Sequence, residues 1–467
     1  MQVPRELEQE IERIRLEMRP PSHSVEVKRV LTSYSDIRRR HIVLAEGCPV
    51  EWDYRHEILH LAEWPRTPAR ALKHQAMIGE ALKALWRPLY DTFMEHRAQI
   101  MNMVYDSLVD YSLRAYPRAL EEIRKYVEEL PEDVWRDPPP HELARAVAAG
   151  LARNSDFESL LRKRDAVALG VMAASWVRRN GAPPVVFDVK LAYSAEDFEE
   201  AAAEVIAEGG DLTVLEDIAE EEGVRFDEEK AALRALVKAY DWYMEASTRT
   251  KKTAKAAKPR STLWCPGDSP ETLKVDESLA QLPLLLLGIT TVRAEARTIE
   301  GCGEYTGFKP LTVLLDDSGS MTAPPLKAKA ARRVAVSLLA LANKRRVEFE
   351  LITFGERAER VARGTDYTRA VKYLAAEYWP NQGDTRLAPA LEAMSLGGTV
   401  YIISDAEIHD LNRVAEHADK VRRAVLVVIN ENTEVLEVFE SRVGTVPVKA
   451  YHVPPSLAEE FIVRELF

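Results

Sequence analysis

Over roughly the first 248 residues, apolar positions recur at three- and four-residue spacing with prolines between segments, so this half is predicted to be helical. A helix is expected from Thr67 to Trp86, with Thr67 as cap, Pro68 at the first helical position and Pro88 ending it. A second is expected from Leu89 to Ala115, where Leu89, Phe93, Ile100, Met103, Val104, Leu108 and Tyr111 form one broad stripe. Later segments end near Pro131, at the Pro138 to Pro140 run, and at Gly181 with Pro183 and Pro184. No fixed repeat period is evident. From about Pro310 the pattern changes to apolar, β-branched runs alternating with helical stretches. Strands are predicted at 311–315, 347–354, 399–404, 424–429 and 446–453, and helices near 326–344, 367–377, 386–394 and 410–423, with 455–466 closing the chain. This alternation predicts a Rossmann-like, doubly wound, mostly parallel sheet whose binding crevice lies outside the carboxyl ends of its strands.

The two halves meet in a basic stretch, Arg249 to Arg260, followed by a segment containing Ser, Pro and Gly. The expected division is a helical domain at 1–248, a basic linker and connecting insert at 249–306, and an α/β domain at 307–467. The acidic run from Glu216 to Glu229 reads as a solvated helix face. The longest apolar run, within Leu279 to Val292, is broken by Pro283 and Gly288 and falls short of the roughly 18 residues of a spanning helix, so it reads as core. The N-terminus is charged from its fifth residue and has no apolar h-region, which argues against a secretory signal and for a soluble chain with no membrane partner.

Of 467 residues, 46% are hydrophobic and 30% charged, a globular composition that suggests two to four folding units. The formal charge of −12 argues against surface-wide attraction to nucleic acid or anionic lipid. Cys48, Cys265 and Cys302 form no CxxC pair, which removes a disulfide framework and a thiolate zinc site and fits a reducing cytoplasm. Trp86, Trp176, Trp242 and Trp379 sit among apolar neighbours and read as core anchors.

Chemistry concentrates in the α/β half. The first predicted strand runs directly into Asp316-Asp317-Ser318-Gly319-Ser320-Met321, which sets Asp316, Ser318 and Ser320 at alternate positions of a tight turn. A second oxygen-rich loop runs from Asn381 to Thr385 before a helix, and a later strand ends in Ser404-Asp405. Hydroxyl and carboxylate oxygens without Cys or His suit a hard cation, Mg²⁺ or Mn²⁺, rather than Zn²⁺. DDSGSM after a buried strand, GDT before a helix and ISD at a strand end resemble, in that order, the metal-ion-dependent adhesion site (MIDAS) of a von Willebrand factor A (VWA) domain, over about residues 307–467. The resemblance implies that Ser318, Ser320 and Thr385 bind the cation directly and that Asp316 and Asp405 hold it largely through waters. A partner Asp or Glu would then complete the shell. Asp317 stands where many members have Thr or Val, and its role is open.

A helical N-terminal half before such a domain resembles the CoxE-like and ViaA-like groups that work with MoxR-family AAA+ ATPases. That implies a non-enzymatic, Mg²⁺-dependent adaptor in the assembly or maturation of a protein complex or metal centre. The chain has no GxxxxGK[ST] loop, so ATP hydrolysis is expected only from a partner. A second reading rests on His56-Glu57-Ile58-Leu59-His60: on a helix, His56 and His60 lie one turn apart and could hold zinc, with Glu57 as general base of a metallopeptidase. Glu63, His74 or Glu80 would supply the third ligand. Otherwise the segment is a partly exposed amphipathic helix cut short by Pro65. A third reading, a Ro-like RNA-binding protein, rests on the basic linker and on Arg38, Arg39 and Arg40; the net charge and the lack of a helical repeat count against it.

Overall fold

The structure is a computed structural model. It describes residues 5–183, 189–254, 260–263, 292–295, 310–322, 326–396, 399–414, 416–417, 421, 423–429 and 448–452. Two compact units can be distinguished, one of Met1–Lys238, Met321–Val336 and Asp366–Asn381, the other of Ala239–Ser320, Ser337–Thr365 and Gln382–Phe467.

The first unit is built from α1 (Arg5–Met18), α2 (Val50–Ala62), α3 (Pro68–Leu85), α4 (Arg87–Glu95), α5 (Arg97–Ser112), α6 (Pro117–Glu129), α7 (Pro140–Ala148), α8 (Ser155–Lys163), α9 (Ala166–Asn180), α10 (Ala195–Ala207) and α11 (Thr213–Glu221), and from the start of α12 (Glu228–Ala254). Local signals set many ends. Thr67 accepts from the Arg70 amide at 3.2 Å and starts α3, Asp165 caps α9 through the Ala168 amide at 3.0 Å, and Ser194 with Asp197 forms a capping box on α10. The stretch expected as one helix from Leu89 is two, because the backbone leaves the helical region at His96 (φ −121, ψ 28). Trp86 and Trp379 are 51% and 52% exposed rather than core anchors.

This half is not all helical. Strands β1 (Ser24–Lys28), β2 (Tyr34–Asp36), β3 (His41–Ala45) and β4 (Val189–Lys190) form a four-stranded sheet in the order β1-β3-β2-β4. Its apolar face, with Val27, Ile42 and Leu44, packs with Ile11 and Ile14 of α1 and Tyr54, Ile58 and Leu61 of α2 into one core. Each of these strands is short, so the alternation in SVEVK is easily absorbed into a helical reading of its surroundings.

Helices α3 and α9 cross closely at Gly170, where an added Cβ would lie 2.5, 2.6 and 2.8 Å from three atoms of the Ile78 side chain. Gly170→Ala gains about 1 kcal/mol of helix propensity but must displace a packed, β-branched neighbour. A net destabilisation of about 1–2 kcal/mol is expected, measured as a lower urea midpoint. An unchanged or higher midpoint would show that the crossing can open.

The second unit holds a six-stranded sheet of β7 (Leu311–Asp316), β8 (Phe349–Phe354), β9 (Ala358–Gly364), β10 (Thr399–Ser404), β11 (Arg423–Val428) and β12 (Val448–His452), in the order β12-β11-β10-β7-β8-β9. Every pairing is parallel except β8 with β9, which gives a mixed sheet with one antiparallel edge. β7 and β8 are buried at every position, as the nearly continuous apolar runs of a parallel sheet covered on both faces require. The helical segments of this part of the chain are α13 (Leu326–Arg345), α14 (Tyr367–Lys372) with a π-turn to Glu377, α15 (Ala388–Ala393) and α16 (Leu411–Val414). Leu387, Leu391 and Ile408 close over Leu314, Ile402 and Leu426 of the sheet. Two further strands, β5 (Arg260–Leu263) and β6 (Val292–Glu295), pair antiparallel within the segment expected as linker and insert. The apolar run at 279–291 and the expected helix at 455–466 lie outside the described residues. Among the described residues, no helix is long and apolar enough to cross a membrane.

Candidate functional site

Parallel pairing of β7 with β10 brings the loops after both strands to the same edge of the sheet. At the end of β7 the chain turns sharply: the Ser318 amide donates to Asp316 Oδ1 at 2.9 Å, and the Ser318 and Ser320 hydroxyl oxygens are 3.0 Å apart. At the end of β10, the Ser404 hydroxyl donates to Asp316 Oδ2 and accepts from the Ala406 amide at 3.0 Å. Asp405 follows directly and is fully buried.

The 381–385 loop is stitched to the same turn. The Gly319 amide donates to the Gln382 carbonyl at 2.7 Å, and the Gln382 amide to the Asp317 carbonyl at 2.9 Å, a parallel bridge between Ser318 and Gln382. Thr385, three residues on from Gln382, is buried, its carbonyl accepting from the His409 amide at 2.9 Å. Asp410 then caps α15 by accepting from the Leu387 and Ala388 amides at 2.8 and 3.0 Å. Asp317 has a structural answer. Its carboxylate accepts from Gln382 Nε2 at 2.9 Å and ties the two loops together.

The electrostatics suit a cation. Burial pushes the Asp316 carboxyl up to about 6, against hydrogen bonds from Ser318 and Ser404, and the Asp405 charge adds to the rise. Burial likewise pushes Asp317 up to about 6, against the Gln382 hydrogen bond. The buried carboxylates of Asp316 and Asp405, the neighbouring Ser318 and Ser320 hydroxyls and the buried Thr385 offer oxygen donors alone, which suit a small, hard dication and lack the nitrogen or sulfur that zinc prefers. Ser404, Gln382 and Asp410 position this site although the sequence did not mark them as ligands; only Asp410, five residues after the ISD aspartate, carried a capping signal.

The HEILH segment lies elsewhere, in the first unit. Helix α2 does carry it, but the helix is enclosed rather than partly exposed: His56, Glu57 and His60 are all buried. The three proposed third ligands are engaged otherwise. Glu63 pairs with Arg164 at 3.1 Å, Glu80 with Lys329 at 3.2 Å, and His74 stacks on Trp64. Glu57 accepts from the Ser35 hydroxyl through both its carboxylate and its carbonyl. The acid that does face the histidines is Asp106 of α5, which with His56 and His60 forms a compact buried cluster. Burial lowers both imidazoles, and for His60 it prevails; for His56 the neighbouring Asp110 and Asp106 carboxylates overcome it and hold the ring well above the ordinary histidine value. Asp106 and Asp110, four residues apart, share one buried face of α5.

No protein-family model matches the sequence, and no curated protein matches it. Among solved structures it is similar to the conserved hypothetical protein BatB from Bacteroides thetaiotaomicron, at 17% identity over 33% of this chain and 96% of that one, with a TM-score of 0.26. It is also similar to a von Willebrand factor type A protein from Catenulispora acidiphila (20% identity, 37% of this chain and 42% of that one, TM-score 0.25). A third is proximal thread matrix protein 1 from the mussel byssus (15%, 33% and 45%, TM-score 0.26). The chain spans less than half the length of the last two, and at such TM-scores the description of the fold rests on the strand order and register alone.

Proposed function

We propose that the second unit is a VWA-type docking module that engages a protein partner through a divalent cation. The observation that carries this reading is the meeting of three loops at one sheet edge, with Ser404 bonded to Asp316, Gln382 bridged to Ser318, and the Ser318 and Ser320 hydroxyls side by side. In this reading Ser318, Ser320 and Thr385 offer direct oxygen ligands, while Asp316 and Asp405 supply the negative charge. A bound Mg²⁺ would supply a Lewis-acidic position that an incoming carboxylate completes. The chain's own groups orient the hydroxyls and hold the loops: Asp317 and Gln382 fix the spacing, and Asp410 anchors the helix behind Thr385. In this reading the role is binding rather than catalysis, since hydroxyls and carboxylates that hold a cation do not by themselves activate a nucleophile. The partner that best suits the layout of the chain, on the CoxE-like and ViaA-like resemblance, is a MoxR-type AAA+ ATPase, with the first unit engaging ATPase or client.

The test is capture of partners by the tagged full chain from a native extract, in Mg²⁺ and in EDTA, read by mass spectrometry. An AAA+ ATPase retained in Mg²⁺ and lost in EDTA is the expected result. Capture indifferent to EDTA would remove the cation from the mechanism, and Mg²⁺-dependent capture of RNA-associated proteins would favour the Ro-like reading.

A further inference from the structure

His56 and His60 are one turn apart on α2, and Asp106 and Asp110 one turn apart on α5, so two pairs at four-residue spacing face each other. His56 Nδ1 lies 2.8 Å from Asp110 Oδ1, and His60 Nδ1 lies 2.7 Å from the Trp64 carbonyl oxygen. Both partners accept hydrogen bonds, so both Nδ1 atoms carry a hydrogen and both Nε2 atoms face the space between the rings, where a cation that displaces the extra proton held by His56 would meet a lone pair on each. Those two Nε2 atoms are 2.9 Å apart, and Asp106 Oδ1 lies 3.5 and 3.4 Å from them. Three possible ligand atoms therefore converge on one point. A single proton can bridge only two of them, and Asp106 Oδ1 is a buried oxygen left without a hydrogen-bond partner.

We propose that His56, His60 and Asp106 form a binding site for a transition-metal dication, with zinc as the ion best suited. The point equidistant from the three donor atoms in their common plane is about 1.9 Å from each, so an ion at zinc's usual ~2.0–2.1 Å sits just above that plane. Two imidazole nitrogens and one carboxylate oxygen suit zinc, where the all-oxygen set of the other unit suits magnesium. The surrounding shell is already built. Asp110 orients His56 and is itself held by Arg145 Nε at 2.7 Å and Trp52 Nε1 at 3.1 Å, while Asp106 Oδ2 accepts from Asn102 at 2.9 Å. Asn102, which holds Asp106, also lines a cleft of about 1040 Å³ together with Tyr105. Three protein ligands leave a fourth position for water. Glu57, tied to Ser35, is not among the ligands.

The test measures zinc on the purified full chain after loading and exhaustive dialysis, together with zinc affinity by competition and far-UV circular dichroism. One zinc per chain is expected for the unmodified protein, for Glu57→Gln, and for the Ser318→Ala/Ser320→Ala double variant, which separates this site from the docking site. Asp106→Asn and His60→Gln should retain less than a tenth of that zinc, and Asp110→Asn should bind it about 10–100-fold more weakly. Thermal melting of the unmodified chain covers the case in which a variant fails to fold: its midpoint should rise with zinc and fall on chelation. Absence of bound zinc with no shift in the midpoint overturns the proposal, as does equal zinc in Asp106→Asn and the unmodified chain.

Discussion

Thr385→Val and Ser320→Ala should each abolish Mg²⁺-dependent partner capture while leaving the fold in place. Thr385 is 3% exposed, and valine matches its shape while removing the single hydroxyl. Its backbone carbonyl, which accepts from His409, is untouched, so the loop has no reason to move. Ser320→Ala removes one of the two hydroxyl oxygens that stand 3.0 Å apart at the turn. Removing the partners that merely orient metal ligands typically costs 10–100-fold in affinity. A direct ligand should therefore cost at least about 100-fold, or about 2.8 kcal/mol at 1.4 kcal/mol per decade. Thr385→Ser restores the oxygen and should restore most of the binding. Asp317→Asn separates the roles further. It weakens the tie to Gln382 Nε2 without removing a ligand, so its effect should stay below about tenfold. The readout is the Mg²⁺ dependence of capture at fixed protein concentration, with circular dichroism confirming the fold. If Thr385→Val binds as the unmodified chain does, the hydroxyl is no ligand and the docking mechanism fails.

The parts of the molecule that could be read from sequence are those in which each segment carries its own signal. β7, β8 and β10 are nearly continuous apolar runs buried along almost their whole length, and the three loops of the oxygen-rich site follow strand ends or precede a helix in a recognisable order. β9 was missed because AERVARG is an edge strand whose charged residues face solvent and whose pairing is antiparallel, so no apolar run marks it. Helix α2 was misjudged for a different reason. Its charged residues suggest an exposed face, yet Arg55 is almost wholly buried because Glu17 and Glu51 meet its guanidinium at 2.6 and 3.1 Å and the Tyr116 ring covers it. Paired charges leave the same letters in a sequence as solvated ones. The His56, His60 and Asp106 cluster shows the limit most clearly, since HEILH was visible but its third member is set by the crossing of α2 with α5, which no local pattern encodes.

The same physics predicts a large stability effect at Glu350, the charged residue of a strand otherwise made of uncharged side chains. Its carboxylate is fully buried on β8 and accepts from the Ser395 hydroxyl at 2.7 Å, the Ser395 amide at 3.0 Å, the Leu396 amide at 3.2 Å and Arg360 Nε at 2.8 Å. It thereby holds the chain just before β10 against the sheet and ties the antiparallel edge to the same point. Glu350→Ala leaves the Leu396 amide without an acceptor in a buried setting, removes hydrogen bonds to an ionised group, and opens a cavity. Hydrogen bonds to charged groups contribute about 1.5–3 kcal/mol each and are not additive within one cluster, so a loss of about 3 kcal/mol is expected. Glu350→Gln keeps one acceptor oxygen but turns an NH₂ toward the other donors, so it should lose about half as much. Urea denaturation monitored by fluorescence measures both. The clamp lies at the opposite end of the β7–β10 pairing from Asp316 and Ser404, since Glu350 stands in register with Thr312. Mg²⁺-dependent capture per folded molecule should therefore be unchanged in Glu350→Gln, which distinguishes a residue that holds the sheet together from one that serves the site. A Glu350→Ala midpoint within experimental error of the unmodified chain would mean that water replaces the carboxylate at that position.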